Sequence, residues 1–144
     1  QQQESEEIVE SASIAGCRLL LVEDNAELRI FLRSIFSPEY RIVEAADGME
    51  GCDKALKLLP DIIISDVMMP EMGGLEALQA IKAKHPEIIV IMITGNPSVE
   101  NVKESIQGGA GGFIIKPFNS AKVLDTLVRA IQAGKSGNGA ANNN

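Results

Sequence analysis

Cysteine, histidine and long apolar runs are scarce in this sequence, and each shortage excludes a class of protein. The two cysteines, Cys17 and Cys52, are far apart and form no C-x-x-C pair, so we expect reduced thiols rather than a disulfide framework or a metal site. No apolar run approaches the roughly 20 residues that cross a membrane. The first residues are rich in Gln and Glu, unlike the basic and then apolar start of a signal peptide. We therefore expect a cytoplasmic protein.

Positive charge is also in short supply. The chain has 20 Asp and Glu residues against 13 Lys and Arg residues, a net charge of -7 and an isoelectric point near 4.7. Direct binding of nucleic acid is therefore not expected, because the phosphate backbone attracts basic surfaces. The 144 residues, of which 45% are hydrophobic and 23% charged, are otherwise typical of one globular domain with its own core.

The two ends of the chain differ in composition from the middle. Residues 1–16 are polar and show little periodicity, which indicates a linker or a leader. Residues 134–144 read GKSGNGAANNN and can bury too little apolar surface to become ordered, so a disordered tail is predicted there. A single domain is expected over residues 17–133.

Strand and helix patterns alternate five times within that domain. Three of the five strands are unbroken aliphatic runs, which is typical of parallel strands that helices cover on both faces. The predicted strands are Arg18–Val22, Arg41–Glu44, Ile62–Ser65, Ile88–Ile93 and Phe113–Ile115. The helices between them carry apolar stripes with the helical period; the fourth stripe comprises Val99, Val102 and Ile106, and the fifth comprises Val123, Leu124, Leu127, Val128 and Ile131.

Strict alternation of this kind predicts an α/β fold in which helices cover both faces of a parallel sheet. Right-handed crossovers leave few topologies. Among these we expect the flavodoxin-like, doubly wound (βα)5 arrangement with strand order 2-1-3-4-5. In such a sheet, ligands bind in the crevice beyond the carboxyl ends of strands 1 and 3, where the winding reverses.

Charged and hydroxyl side chains follow four of the strands at that edge. Glu23 and Asp24 come after strand 1, and Asp66 comes after strand 3. Thr94 follows strand 4, and Lys116 follows strand 5. Two carboxylates about 4 Å apart repel by roughly 4 kcal/mol at an effective dielectric near 20, so three acids at one edge need a counter-charge. A hard dication with oxygen ligands supplies it, and a Mg2+ site is therefore predicted.

Four motifs at these strand ends resemble the receiver domain of two-component response regulators, including the chemotaxis response regulator. They read LLLVEDN at 19–25, PDIIISDVMMPEMGG at 60–74, MITG at 92–95 and FIIKPF at 113–118. The resemblance covers about residues 17–133. It implies a signalling domain, not a conventional enzyme, that accepts a phosphoryl group from a histidine kinase or a histidine phosphotransfer protein and catalyses its own phosphorylation and dephosphorylation.

By this resemblance, the acidic residues and one carbonyl group form a phosphoryl-transfer site with Mg2+. Asp66 matches the phosphoacceptor, and a carboxylate is a nucleophile that can form an acyl phosphate. Asp24 matches the direct metal ligand of the family's acidic pair, and Glu23 matches the member that acts mainly through water. The main-chain carbonyl of Met68 matches the remaining protein ligand.

The resemblance also implies a switch. Lys116 and Thr94 match the lysine and the hydroxyl that contact the phosphoryl group, and Phe113 matches the switch aromatic. Pro117 matches a proline that usually follows a cis peptide bond. The implied output surface is formed by helix 4, strand 5 and helix 5, where a downstream effector or a second copy of the chain would bind. The only histidine, His85, precedes a proline at a helix end, so the phosphoryl donor is expected outside this chain.

Three other functions stay open at this point. A flavin-binding electron carrier on the same fold would need a Ser/Thr/Gly-rich phosphate loop after strand 1, where this chain reads EDNAE. A haloacid-dehalogenase-type phosphatase would need a second acid two residues after the nucleophile, where Met68 stands. A receiver-like protein-interaction module would work without phosphorylation. The chain fits a stand-alone receiver and a piece of a larger protein, such as a hybrid histidine kinase, equally well.

Overall fold

The computed structural model describes residues 16–67, 74–95 and 98–143. The strands are β1 Arg18–Val22, β2 Arg41–Ala45, β3 Ile62–Asp66, β4 Ile89–Thr94 and β5 Gly112–Ile115. The helices are α1 Ala26–Phe36, α2 Gly48–Leu58, α3 Gly74–Lys84, α4 Val99–Gln107 and α5 Ser120–Asn143. All strand pairs are parallel and the order is β2-β1-β3-β4-β5, which confirms the predicted doubly wound α/β fold.

The three central strands, β1, β3 and β4, are almost completely buried because helices cover both faces of the sheet. Successive residues of each strand pack against opposite helix layers. The layer of α1 and α5 forms a core that includes Leu19, Ile64, Ile91, Phe36 and Leu127. The layer on the other face forms a core that includes Leu20, Ile63, Met92, Ala55 and Leu78. Complete burial of each Leu, Ile, Met or Phe side chain contributes about 1.5–3 kcal/mol, so the sheet is a firm support for its edge residues.

Side-chain caps begin the helices that follow β1 and β2. The side chain of Asn25 accepts a hydrogen bond from the backbone N–H of Leu28 at 3.1 Å. The side chain of Asp47 accepts one from the backbone N–H of Glu50 at 2.8 Å. Each cap satisfies an N–H group that the start of a helix leaves without an intrahelical partner. The Asn25 cap also sets where the loop after β1 ends, and it thereby helps to place the two acidic residues of that loop.

Three apolar side chains of the fourth and fifth predicted helix stripes lie at the surface. Ile106 of α4 is 63% exposed, and Leu124 and Val128 of α5 are 41% and 45% exposed. Val123 and Leu127, on the same helix, are buried. The apolar stripe of α5 is therefore wider than the side of the helix that the sheet covers, a fact that helical periodicity alone does not reveal.

The ends of the chain relate to the predicted boundaries in two ways. The predicted leader at 1–16 lies outside the described residues except for its last residue. Helix α5 continues beyond Ala133 to Asn143, and no proline follows Pro117 in the sequence to stop it. A helical backbone thus occupies the segment for which the composition predicts a disordered tail, while the limits of the domain itself stay a prediction. Within the part of the chain that the structure describes, we find no helix with the length and hydropathy needed to cross a membrane.

Candidate functional site

The carboxyl edge of the sheet brings together the polar residues that the sequence predicted at the strand ends. Glu23 follows β1 directly, and Lys116 follows β5 directly. Asp66 and Thr94 are themselves the last residues of β3 and β4, rather than the first residues of the loops. Asp66 lies opposite Ile93 in the parallel ladder of β3 and β4. Thr94 lies opposite Ile115 in the ladder of β4 and β5. Because a ladder continues through each position, the backbones of Asp66 and Thr94 are fixed more firmly than in a loop.

Three carboxylates lie close together at this edge. One oxygen from each of Glu23, Asp24 and Asp66 lies within 4.8 Å of the other two. Glu23 and Asp66 are buried, with 2% and 4% of their surface exposed, whereas Asp24 is exposed. The cluster is therefore open to solvent on the side of Asp24.

Lys116 supplies positive charge to this cluster. Its Nζ atom lies 2.7 Å from Oδ2 of Asp66 and 3.8 Å from Oε1 of Glu23. Burial by itself would lower the pKa of Lys116, but the hydrogen bond to Asp66 and the negative charges of the carboxylates outweigh burial and raise the pKa. One ammonium group cannot balance three carboxylates, so the cluster has an excess of negative charge whenever all three are ionised.

The two carboxylate oxygens of Glu23 differ in their hydrogen bonding. Its Oε2 atom accepts a hydrogen bond from the backbone N–H of Asn25 at 3.0 Å. Its Oε1 atom is buried and has no hydrogen-bond partner among the residues that the structure describes, and the 3.8 Å to Nζ of Lys116 is too long for a hydrogen bond. Burial, followed by the nearby carboxylates of Asp66 and Asp24, raises the pKa of Glu23 to about 8. An oxygen left in this state costs about 1–3 kcal/mol, and a ligand with positive charge would remove that cost.

The chemistry of this donor set fits Mg2+. All three side chains offer carboxylate oxygens, the ligands that hard dications prefer. The unpartnered Oε1 of Glu23 is a second observation in favour of a polar or cationic ligand, independent of the grouping of acids. The predicted carbonyl ligand, that of Met68, lies outside the described residues.

Arg29 is a residue of this site that the sequence analysis missed. Its Nη1 atom donates a hydrogen bond to the backbone carbonyl of Glu23, and its Nε atom pairs with Glu44 of β2. No motif pointed to it, since an arginine on the surface of an amphipathic helix is usually solvated. Its position one helical turn after the Asn25 cap was the only sequence feature that could have indicated a contact with the acidic loop.

Thr94 and Phe113 lie on the same face of the sheet. Thr94 is completely buried, and Phe113 is half-buried and packs against the core beneath α2 and α3. Thr94 lies opposite Ile115, two residues beyond Phe113 on β5, so the side chains of Thr94 and Phe113 point to the same side. The peptide bond between Lys116 and Pro117 is cis, as the resemblance implies.

A cavity of about 460 Å³ lies at the opposite, amino edge of the sheet. Its lining includes Lys82, Ile88, Gly111 and Ile131, and none of the three carboxylates. The functional edge is therefore identified by its charged groups and by its place at the carboxyl ends of the strands, not by the size of a cavity.

Comparison with known proteins agrees with this architecture. A family model described as the response regulator receiver domain matches residues 19–128. The chemotaxis protein CheY of Listeria monocytogenes is 39% identical over 115 residues, which cover 78% of this chain and 97% of that protein. The solved structure of the chemotaxis protein CheY4 of Vibrio cholerae matches with a TM-score of 0.75 at 35% identity, over 81% of this chain and 99% of that chain.

Similarity extends to a much larger protein. Histidine kinase P4 of Formosa agariphila is 40% identical over 103 residues, which cover 70% of this chain but only 8% of the kinase. The chain thus resembles both a small chemotaxis protein and a short part of a large kinase. The family match gives no support to the flavin-carrier or phosphatase hypotheses.

Proposed function

The chain belongs to the response regulator receiver domains of two-component systems, and we propose that it accepts a phosphoryl group on Asp66 from a histidine kinase or a histidine phosphotransfer protein. Receiver domains are phosphoacceptor signalling domains rather than conventional enzymes. The observation that carries the proposal is the surroundings of the Asp66 carboxylate. It lies next to two further carboxylates and 2.7 Å from the ammonium group of Lys116.

Asp66 acts as the nucleophile. One of its carboxylate oxygens forms a bond to phosphorus while the bond between phosphorus and the donor's imidazole nitrogen breaks, and the electron pair of that bond stays on the nitrogen. The product is an acyl phosphate. Attack of water on its phosphorus later breaks the bond to the Asp66 oxygen, restores the carboxylate and releases inorganic phosphate. Because the groups of this site serve both reactions, phosphorylation and dephosphorylation are both self-catalysed. Lys116 pairs with a phosphoryl oxygen, because the new group brings about -1.5 to -2 charge near pH 7.

We assign a magnesium site to Glu23, Asp24, Asp66 and the main-chain carbonyl of Met68. When bound, Mg2+ supplies positive charge that neutralises the carboxylates and the phosphoryl oxygens. Asp24, the exposed member of the cluster, serves as a direct ligand, and the buried Glu23 acts mainly through water. The unpartnered Oε1 atom of Glu23 supports a polar ligand at this position.

Thr94 and Phe113 form the switch. The Thr94 hydroxyl donates a hydrogen bond to a phosphoryl oxygen, and its displacement leaves space into which the ring of Phe113 turns. The burial of Thr94 and the partial exposure of Phe113 on the same face of the sheet support this coupling. A coupling free energy of about 1–3 kcal/mol is enough to bias a two-state surface of this kind.

The output surface is formed by α4, β5 and α5, and its occupant is a downstream effector. Four apolar side chains are exposed on these neighbouring elements: Ile106, Ile115, Leu124 and Val128. Both helices contact β5, and exposed apolar side chains on neighbouring elements are a feature that protein-binding surfaces share. A second copy of the chain is the alternative occupant, and a change from monomer to dimer on phosphorylation in analytical ultracentrifugation would favour it.

The cellular setting of this proposal follows from the thiols and the relatives. Neither Cys17 nor Cys52 forms a disulfide, which suits the reducing cytoplasm. The matched region is only 8% of the length of a histidine kinase, and this supports a hybrid kinase as the parent protein. The similarity to a small chemotaxis protein supports a stand-alone receiver equally.

Mass spectrometry after incubation with acetyl phosphate and Mg2+ tests the proposal. Wild-type protein gains the mass of one phosphoryl group, whereas Asp66→Asn gains none because the nucleophile is lost. Omission of Mg2+ suppresses the gain. A wild-type chain that gains no mass, or an Asp66→Asn variant that gains as much as wild type, would overturn the proposal.

Asp61→Asn is the matched control for that experiment. Asp61 precedes β3 at the other edge of the sheet, where its Oδ2 atom accepts a hydrogen bond from the backbone N–H of Arg18 at 2.9 Å. Asparagine keeps an oxygen that can accept this bond. We expect the variant to be phosphorylated like wild type, so a loss seen only in Asp66→Asn is specific to the acceptor.

A further inference from the structure

Arg29 joins the acidic loop to the neighbouring strand. It lies in α1, and its side chain is 20% exposed. Its Nη1 atom donates a hydrogen bond to the carbonyl oxygen of Glu23 at 2.5 Å, and its Nε atom donates one to Oε1 of Glu44 at 3.0 Å. A single planar guanidinium therefore bridges the first residue of the acidic loop and strand β2.

Glu23 is held from three sides. Its backbone N–H donates to the carbonyl of Ala45 at 3.0 Å, its carboxylate accepts from the N–H of Asn25, and its carbonyl accepts from Arg29. That carbonyl belongs to the planar peptide group between Glu23 and Asp24. Its direction therefore sets the orientation of the peptide plane, and with it the path of the chain into Asp24. Of the three contacts, the one from Arg29 is made by the side chain of another element.

The positive charge of Arg29 cannot be what attracts a divalent cation, since like charges repel. The charge is instead paired with Glu44, whose Oε1 atom contacts Arg29 and whose Oε2 atom contacts Arg33 at 2.9 Å. Arg29 therefore acts on the cluster through its hydrogen bond, which fixes the direction of the Glu23 carbonyl.

We propose that Arg29 is a positioning residue for the acidic cluster: by holding the Glu23 carbonyl and the Glu44 carboxylate together, it sets where Glu23 and Asp24 present their oxygens to a divalent cation. The inference rests on the proposed function, because it needs a magnesium site at these residues. Residues that orient metal ligands without touching the metal typically change its affinity by about 10–100-fold when they are replaced.

Isothermal titration of the apo protein with Mg2+ tests this inference. Arg29→Met keeps an apolar stem but donates no hydrogen bond, and we expect the dissociation constant for Mg2+ to rise about ten-fold. Arg33→Met is the matched control: Arg33 lies one turn further along α1 and pairs with the same Glu44, but its side chain is 49% exposed. We expect Arg33→Met to leave the dissociation constant within about two-fold of wild type, since exposed ion pairs contribute little.

Urea unfolding without Mg2+ separates positioning from stability. Arg29→Met loses an ion pair to Glu44 and the donor to the Glu23 carbonyl, whereas Arg33→Met loses only a more exposed ion pair, so the unfolding midpoint is expected to fall further in Arg29→Met. Arg29→Lys adds a further control. The lysine ammonium can pair with Glu44 but cannot span both acceptors, so we expect it to recover part of the loss in the unfolding midpoint without recovering the affinity for Mg2+.

The outcomes distinguish this inference from the proposed function. Wild-type protein that binds no Mg2+ would overturn the metal site and this inference together. Wild-type protein that binds Mg2+ while Arg29→Met binds it equally tightly would overturn the inference alone. A loss of affinity as large in Arg33→Met, or full recovery in Arg29→Lys, would do the same, because either result would assign the effect to charge rather than to the bridge.

Discussion

Charged side chains have different kinds of partner at the two edges of the sheet. At the amino edge, Asp61 accepts a hydrogen bond from the backbone N–H of Arg18 at 2.9 Å. Lys82 donates from Nζ to the carbonyls of Pro86 and Ile88 at 2.6 and 2.9 Å. The charged side chains there are matched by backbone groups of the same chain, and their contacts close the loops between the strands and helices.

At the carboxyl edge the charges are not matched. The carboxyl groups of Glu23, Asp24 and Asp66 share the ammonium group of Lys116, and Oε1 of Glu23 has no hydrogen-bond partner within the described part of the chain. Matched charge stabilises the fold, whereas an excess of one sign leaves a place for a ligand of the other sign. The difference teaches that the charge balance of an edge, more than the volume of a cavity, distinguishes a functional edge from a structural one.

The largest effect is expected when the lysines of the two edges are compared. Lys116→Met removes the charge that pairs with the phosphoryl group, and we expect phosphorylation by acetyl phosphate to slow by about a hundred-fold or more. Lys82→Met should leave the rate unchanged and instead lower the free energy of unfolding by about 1 kcal/mol, because the carbonyl of the buried Ile88 loses its donor, whereas that of the exposed Pro86 can bind water. Time-resolved mass spectrometry and urea unfolding measure the two quantities. Equal slowing by both substitutions would remove the distinction between the edges.

The next effect concerns close packing behind the acidic loop. A Cβ atom at Gly51 would lie 2.7 and 2.8 Å from the two methyl carbons of Val22, the residue before Glu23. We therefore expect Gly51→Ala to lower the free energy of unfolding by about 1–3 kcal/mol. Gly111→Ala is the control at the amino edge, since its nearest neighbour would be at an ordinary 3.5 Å. Equal stability of the two variants in urea would contradict the predicted overlap.

A smaller effect should follow from relief of repulsion. Without divalent cations, we expect Asp24→Asn to raise the free energy of unfolding by about 1 kcal/mol, the Coulomb energy of two charges about 4 Å apart near water. Saturating Mg2+ at about 100 times its dissociation constant should stabilise wild type by about 2.7 kcal/mol and the variant by less. Asp53→Asn is the control, because Asp53 is an exposed acid of α2 that pairs with Lys57. We expect both its free energy of unfolding without divalent cations and its stabilisation by Mg2+ to equal those of wild type. Destabilisation of apo Asp24→Asn would argue against an excess of negative charge.

The smallest effect is expected from the pKa values of Lys82 and Lys116, which the fold shifts in opposite directions. Burial lowers the pKa of Lys82 below 10.5, against a weaker opposite effect of Glu87, whereas the carboxylates raise the pKa of Lys116 above it. Between the folded pKa of Lys82 and 10.5 the unfolded chain binds more protons, so this group makes stability rise with pH. The contribution of Lys116 is complete below 10.5 and is lost as the pH rises through its raised folded pKa. NMR titration of the lysine side chains in the apo protein checks the order, and a lower pKa for Lys116 than for Lys82 would contradict it.

Much of the fold was predictable because strand signals are local. The runs around Leu19–Val22 and Ile62–Ser65 contain no polar alternation, and such runs occur where both faces of a strand are covered. The exposure of Ile106, Leu124 and Val128 was not predictable, because the period of a helix reports which residues share a side but not how much of that side its neighbours cover.

The functional site also contains residues that the sequence predicted and one that it did not. The prediction placed Glu23, Asp24 and Asp66 at one edge because parallel strands end together, and the structure brings their oxygens within 4.8 Å. Arg29 was missed because its contact depends on the angle at which α1 crosses the loop before it, which no spacing of residues encodes.

By itself, the sequence determined the alternation of strands and helices and the polar residues at the strand ends, since both depend on neighbours within a few positions. Only the tertiary structure decided the 2.7 Å contact between Asp66 and Lys116, which are 50 residues apart, and the burial of Oε1 of Glu23 away from any hydrogen-bond partner in the described ranges 16–67, 74–95 and 98–143. Distances of this kind follow from how the completed sheet and its helices pack, and that packing is a property of the whole chain rather than of any segment.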